Sequence, residues 1–173
     1  SRPEVIFKED ADGKLLEPQM SLCCGNYFPG LMTVAAKELE FIKRHIEEKI
    51  DLDVWWQDAG WYPCDGPGWP KTGTWEPDPV RFPNGIKGIS DYVRSVGMKT
   101  MVWFEPERVA DGTWITENHP EWVHGGAGGG LLKLSDPDCR KWITQHISKL
   151  LTEQGIDLYR QDFNIDPLGY WRG

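Results

Sequence analysis

Residues 136–164 read DPDCRKWITQHISKLLTEQGIDLYRQDFN, and this stretch sets the architecture. Asp136 can cap a helix whose first helical position is Pro137, Ile143, Ile147, Leu150 and Leu151 recur at helical spacing, and Gly155 closes the element. Ile156 to Phe163 follows as a strand, with Ile156, Leu158, Arg160 and Asp162 on one face. The unit is a helix, a breaker and a short strand that ends in an acid. It occurs twice upstream. Ala35, Leu39, Ile42, Ile46 and Ile50 keep helical spacing before Leu52, Val54, Trp56 and Asp58 alternate on a strand. Ile86, Ile89, Tyr92, Val93 and Val96 form a second amphipathic helix closed by Gly97, and Met98 to Phe104 reads as the next strand, with Met101, Trp103 and Glu105 on one face. Met20 to Asn26 supplies a first strand.

Strands alternating with helices in this way make parallel βα units, so the expected class is α/β. The (β/α)₈ TIM-barrel type fits best, because its chemistry sits at the C-terminal strand ends where Asp58, Glu105 and Asp162 fall. About four strand–helix units are present, so residues 19–173 are expected to form the N-terminal half of such a barrel. Residues 1–18, polar and without a clear period, read as a linker or the end of a preceding domain. A doubly wound open sheet is the alternative, although the first strand-to-helix turn lacks the dinucleotide fingerprint. Half a barrel leaves strand edges open, and self-association through them is expected.

Composition narrows the function. The 173 residues carry a net charge of −8, which disfavours nucleic acid, whose phosphates call for a basic stripe. No apolar run approaches the 18 or so residues of a membrane span, and no signal segment is present in the chain. The 19 Gly and 13 Pro imply many loops. Ten Trp exceed what a core of this size needs, and aromatic faces of this kind pack against the C–H faces of sugars. Any one Trp taken alone reads first as core. The loop Pro63 to Pro79, with Trp69 and Trp75, is expected to be an aromatic wall or a solvent-covered insertion. Cys23, Cys24, Cys64 and Cys139 repeat no zinc spacing and imply no disulfide framework. Gly125 to Gly130 lacks a phosphate-loop ending and precedes a short strand, Leu131 to Leu134, so it reads as a hinge or lid. His119 and His124 read as solvated loop histidines, and no cofactor is expected.

The strand ends carry the chemistry. Arg160 and Asp162 leave one face of one strand, and a nearby cation keeps a carboxylate ionised, as a nucleophile or a stabiliser of an oxocarbenium-like centre requires. Asp58 and Glu105 on neighbouring strands could hold sugar hydroxyls. Alternatively Asp58, Glu105 and Asp162 could ligate a divalent metal in a sugar enzyme, or the chain could be a non-catalytic carbohydrate-binding half-barrel.

Five segments carry a family resemblance: Trp56-Gln57-Asp58-Ala59-Gly60-Trp61; Gly73-Thr74-Trp75 with Phe82-Pro83-Asn84-Gly85-Ile86; Trp103-Phe104-Glu105-Pro106-Glu107; His119-Pro120-Glu121-Trp122; and Arg160-Gln161-Asp162-Phe163-Asn164. In this order they resemble the melibiase-type α-galactosidases of glycoside hydrolase family 36. The resemblance implies a (β/α)₈ barrel and retaining hydrolysis of terminal α-galactosides in an oligosaccharide or glycoside. It implies Asp162 as the nucleophile, matching the aspartate of the family's Lys-Trp-Asp-Met-Asn motif, and Arg160 in place of its substrate-binding lysine. Asp58 matches the first of a pair of sugar-binding aspartates, and Trp103 matches a tryptophan near the sugar. Trp61, Glu105 and Asn164, inside the matching segments, complete the expected substrate-binding set. Two positions depart from the pattern: Ala59 replaces the second paired aspartate, and Cys23-Cys24-Gly25-Asn26 replaces a Trp-Asn-containing first strand. The family's acid/base carboxylate belongs to a later strand, and Asp166, in the loop with Pro167, is a remote substitute.

Overall fold

Four parallel strands form the main sheet, in the order β1 (Ser21–Cys23), β2 (Val54–Gln57), β3 (Lys99–Phe104) and, at the far edge, Leu158–Gln161. The computed structural model describes residues 11–14, 21–23, 33–63 and 71–172. Expectations that rest on residues 1–10 and 15–20, on Cys24 to Asn26, or on residues 64–70 with Cys64 and Trp69 lie outside the described residues.

The connections are helical. α1 (Ala35–Glu47) joins β1 to β2, and α2 (Lys87–Ser95) joins β2 to β3. After β3 the chain makes a small antiparallel ribbon of β4 (Arg108–Val109) and β5 (Gly130–Leu131), with α3 (Trp114–Asn118) between them. α4 (Pro137–Glu153) then leads into β6 (Leu158–Gln161), and α5 (Leu168–Trp171) follows. The strand expected over Leu131 to Leu134 is thus shorter: pairing covers Gly130 and Leu131, with a single further bridge from Leu132 to Val123.

In parallel pairs, residues side by side share a face. Register therefore sorts the sheet. Trp56 lies beside Met101, Met101 beside Leu158, and Trp103 beside Arg160. The opposite face carries Trp55, Thr100, Val102, Phe104 and Tyr159. Trp55 and Val102 have no exposed surface, and Trp55 Nε1 donates to Glu38 Oε1 of α1 at 3.0 Å. The helices supply Ile42, Ile89, Val93, Ile143, Ile147 and Leu150 to the same core. The other face is more open: Trp56, Met101, Leu158 and Arg160 all keep part of their surface.

The ends of α4 follow local chemistry. Asp136 accepts hydrogen bonds from the backbone N–H groups of Asp138 and Cys139 at 2.9 and 3.0 Å, satisfying two donors that an α-helix leaves unpaired. At the other end Gly155 adopts φ +64, a conformation that costs a side-chain-bearing residue strain, and a Cβ there would press on Ser90 Oγ at 3.2 Å. The corner is fastened to α2: Arg94 donates to Gly155 O at 2.9 Å and to Asp157 Oδ1 at 3.1 Å, while Asp157 Oδ2 accepts from Thr100 N at 2.9 Å.

The Gly-rich run is a packed turn rather than a lid. A Cβ on Gly129 would strike the backbone of Val109 and Asp111, and one on Gly130 would strike the Tyr170 ring of α5. Glycine is needed there for close approach. Trp75 likewise is no wall over a pocket: it is fully buried among Trp61, Tyr62, Trp103 and Phe104. His119 stacks on Trp122 with centroids 3.8 Å apart and pairs with Glu121 at 2.8 Å, so it is a surface packing group. Cys139 is buried and free, and burial pushes its thiol up to about 11, which keeps it inert. No helix among the described residues is long and apolar enough to cross a membrane. Replacing Asp136 by Ala should lower the chain's stability by about 1 kcal/mol, read as a shift of the urea unfolding midpoint, because the two capped N–H groups lose their acceptor.

Candidate active site

Asp162 follows β6 directly, and its N–H still donates to Phe104 O at 2.8 Å, so the register of the sheet extends to it. Its carboxylate is held on both oxygens. Oδ2 accepts from Trp103 Nε1 at 2.9 Å and from Asn164 Nδ2 at 2.9 Å, and Oδ1 accepts from the N–H of Phe163 at 2.9 Å. The Trp103 bond, ahead of those from Asn164 and Phe163, holds the carboxyl below its ordinary range against the opposing effect of partial burial. Donors aimed at a carboxylate stabilise its charged form, so Asp162 is a fixed anion.

Arg160 is placed differently from the simplest reading of its spacing. Its guanidinium lies 5.5 Å from the centre of the Trp56 ring and donates to Gln161 O, and it forms no ion pair with Asp162 among the described residues. It favours the Asp162 anion through space, more weakly than the hydrogen bonds from Trp103, Asn164 and Phe163 do. A cation, an indole and an anion therefore share the open face at the ends of β2, β3 and β6.

Glu105 has the opposite environment. It has no exposed surface, its Oε1 accepts from Asn164 N at 2.6 Å, and its Oε2 lies 3.6 Å from Arg108 Nη1. Burial pushes its carboxyl up, and the bond from Asn164 and the charge of Arg108 only partly oppose this. A side chain so placed clamps the turn that carries Asp162, and it offers no face to a ligand. The same holds for Trp61, fully buried with its Nε1 donating to Trp103 O at 3.0 Å. Trp103 itself is 2% exposed, and its one donor is committed to Asp162. Asn164 is exposed and spans the two acids, with its backbone to Glu105 and its side chain to Asp162.

Asp58, at the end of β2, is partly exposed and accepts from the N–H of Ala59 at 2.8 Å. Ala59 is 1% exposed. The position where the resembling family keeps a second aspartate is thus filled here by a buried methyl group. Among the described residues no three His, Cys, Asp or Glu side chains gather as metal ligands. Asp58, Glu105 and Asp162 therefore do not converge on one ion, and Glu105 is committed to Asn164 and Arg108. Asp166, exposed and one residue ahead of the N-cap Pro167, accepts from Leu168 N at 3.0 Å at the start of α5.

Sequence reasoning missed one group at this end of the sheet. Arg81 is 8% exposed and reaches the carbonyls of Thr33, Gly60 and Tyr62. The signal available was Asp78 and Arg81 three residues apart, bracketing a turn after Pro79.

A helix-connected parallel sheet with a fixed anion, a cation and a further carboxylate at its C-terminal strand ends defines an α/β protein with a strand-end carboxylate site. The Melibiase family model matches residues 34–167, and the chain belongs to that family. It is similar to α-galactosidase Mel36A of Lactobacillus acidophilus, 27% identical over 125 residues covering 68% of this chain and 17% of the relative. It is also similar to an α-galactosidase of Escherichia coli, 27% identical over 115 residues covering 62% of this chain and 16% of the relative. The chain thus spans less than a fifth of the length of these relatives. Among solved structures, the α-galactosidase AgaB of Geobacillus stearothermophilus shares the fold with a TM-score of 0.72 at 24% identity, over 86% of this chain and 21% of that one. The α-galactosidase of Thermus thermophilus in complex with stachyose does so with a TM-score of 0.67 at 20% identity, over 91% and 34%.

Two outcomes check this geometry. Trp103→Phe removes the strongest donor to Asp162, so an NMR titration of the Asp162 carboxyl carbon should show its midpoint move to higher pH. For Glu105, a raised native pKa means that its contribution to stability is fully present below the unfolded pKa and is lost as pH rises through the folded value. Glu105→Gln keeps an acceptor for Asn164 N and removes the buried charge. Its melting temperature should therefore gain on that of the wild type as pH rises to neutrality, whereas Glu105→Ala should lose about 1–3 kcal/mol.

Proposed function

We propose that this segment is the N-terminal half of the (β/α)₈ catalytic barrel of a retaining glycoside hydrolase, acting on terminal α-galactosides, with Asp162 as the nucleophile. The observation that carries this reading is the Asp162 carboxylate, held ionised by Trp103 and Asn164 at a C-terminal strand end beside Arg160. The family and the relatives, all named α-galactosidases, support the substrate class, and structural relatives solved in complex with raffinose and with stachyose support an oligosaccharide. The open face of the sheet supports the half-barrel: Trp56, Met101 and Arg160 keep accessible surface on one side, while on the other the helices bury Trp55, Val102 and Phe104 and leave only the β6 edge, at Tyr159 and Gln161, exposed.

The chemistry follows from the hydrogen bonds. Oδ2 of Asp162 already accepts two, whereas Oδ1 accepts one. Oδ1 therefore keeps a lone pair for the anomeric carbon. As the bond from Oδ1 to that carbon forms, the bond to the departing oxygen breaks. A separate general acid gives that oxygen its proton, and water later releases the sugar from Asp162. Asp58 and Arg160 bind the sugar's hydroxyls. Asn164 orients the nucleophile as well as bordering the substrate, and Trp103 holds it from behind. The acid/base carboxylate is supplied from outside these residues, as the resemblance to the family implies, and Asp166, tied through Oδ1 to Leu168 N, is the remote substitute. The two-carboxylate mechanism needs no metal.

In the full natural chain that contains this segment, Asp162→Asn should lower kcat on a galactoside by roughly a thousandfold or more with little change in melting temperature. Incubation with an α-galactosyl fluoride should leave a hexose adduct on Asp162, seen by mass spectrometry and absent in the variant. Near wild-type turnover by Asp162→Asn would move the nucleophile to another residue.

A further inference from the structure

We infer that Arg81, which lies outside the set of strand-end residues, is the positioning residue for the sugar-binding carboxylate Asp58. The inference rests on the proposed role of Asp58 and adds what holds it in place. Asp58 stands at the exit of β2, where the chain turns through Ala59 and Gly60 into Trp61 and Tyr62. Its carboxylate is tied to the next N–H, Ala59, at 2.8 Å. This bond ties the direction it points to the backbone of that turn, and Arg81 grips that backbone.

The grip has several prongs. Nη1 of Arg81 donates to Gly60 O at 2.5 Å and to Thr33 O at 3.1 Å, and Nη2 donates to Tyr62 O at 2.6 Å. Asp78 Oδ2 lies 3.3 Å from Nη2 and balances the charge, with both groups largely buried. Asp78 is itself fixed, accepting from the N–H groups of Val80 and Arg81 at 2.9 Å, and its own N–H donates to Trp61 O at 2.9 Å. Arg81 O accepts from Ala35 N at 2.9 Å, at the start of α1. One guanidinium thus joins the segment before α1, the turn after β2 and the turn before α2.

This arrangement needs a planar fork. A carbonyl accepts but cannot donate, so three of them converging on one buried point require several donors with fixed directions, which guanidinium supplies and ammonium does not. With Lys at position 81, one ammonium would have to serve carbonyls on two segments and the Asp78 carboxylate. The Gly60–Tyr62 turn would loosen, and Asp58 with it. Chemistry at Asp162 would be affected less, because among the described residues the cluster of Trp103, Asn164 and Phe163 shares no hydrogen bond with Arg81 and meets the gripped turn only through Trp61 and Tyr62 packed against Trp103.

The test is a mutant cycle in the full natural chain, read with p-nitrophenyl α-galactoside. Arg81→Lys should raise KM about tenfold with kcat within about threefold, since a loosened binding group weakens ground-state binding more than the chemical step. Asp58→Asn should raise KM as well, and in that background Arg81→Lys should add little, because the group it positions is already gone. If Arg81→Lys does not accumulate as folded protein, Asp78→Asn is the second arm: it weakens the same guanidinium from the far side and should raise KM in the same direction, again only when Asp58 is intact. A KM unchanged by Arg81→Lys, or one raised equally with and without Asp58, overturns the assignment of Arg81 and leaves the role of Asp58 standing. A KM unchanged by Asp58→Asn removes Asp58 as a sugar ligand, and the positioning role falls with it.

Discussion

The hydrogen bond from Trp103 Nε1 to Asp162 Oδ2 joins the sheet, the aromatic core and the chemistry of this chain. It can form only if β3 and β6 lie parallel in the register that sets Trp103 beside Arg160, because that register brings the residue after Gln161 level with the end of β3. It also requires the indole to be held rigidly. Trp103 is fixed by Tyr62 and Trp75 around it, and its own carbonyl is occupied by the indole N–H of Trp61. The tryptophans that look excessive for a core therefore serve the site at one remove. They are buried, and their burial gives Asp162 a donor that does not move.

Two carboxylates at neighbouring strand ends are pushed apart by their surroundings. Asp162 has three hydrogen-bond donors and partial access to water, and it is held charged. Glu105 has no exposed surface, and burial works against its charge. Asn164 links them by giving its backbone N–H to one and its side chain to the other. Neighbouring acids with opposed environments take different tasks. Here the exposed one can react, and the buried one holds the turn on which the first is mounted.

Much of the frame was legible in the sequence because it rests on local rules. The cap at Asp136, the turn at Gly155 and the alternation through Leu158, Arg160 and Asp162 depend on residues close in the chain, and the structure has each of them. What was not legible depends on contacts between distant segments. Strand alternation places Glu105 and Asp162 toward the same end of the sheet, but no pattern within one strand says that Glu105 is sealed by Asn164, 59 residues on. Nor does spacing alone show Arg160 turning over Trp56 instead of pairing with Asp162, since cation–π and ion-pair geometries both satisfy a guanidinium on that face. The Gly-rich run misleads for a related reason. Glycine marks close approach as readily as flexibility, and the neighbours that need the space, Val109, Asp111 and Tyr170, are remote in sequence or lie on another element.

The two faces of the sheet are unequal in a way that bears on where function can sit. On the helix-covered side Trp55, Gln57, Thr100, Val102 and Phe104 have no accessible surface, so over β2 and β3 that side is spent on stability, and exposure there begins only at Tyr159 on the β6 edge. On the other, Trp56, Met101, Leu158 and Arg160 remain within reach of solvent although two of them are apolar and one is an indole. A sheet face with aromatic and aliphatic groups left partly open is an incomplete enclosure, and hydrophobic burial favours closing it. Closing it by adding parallel strands at the β6 edge would leave the strand ends as the accessible rim. The carboxylates of Asp58 and Asp162 already stand there on turns that buried polar groups hold in place: Arg81 on the backbone after Asp58, Glu105 on the backbone after Asp162. In both cases the group that holds the turn is buried and the group that it presents keeps access to solvent, so the core fixes the site's geometry without occupying it.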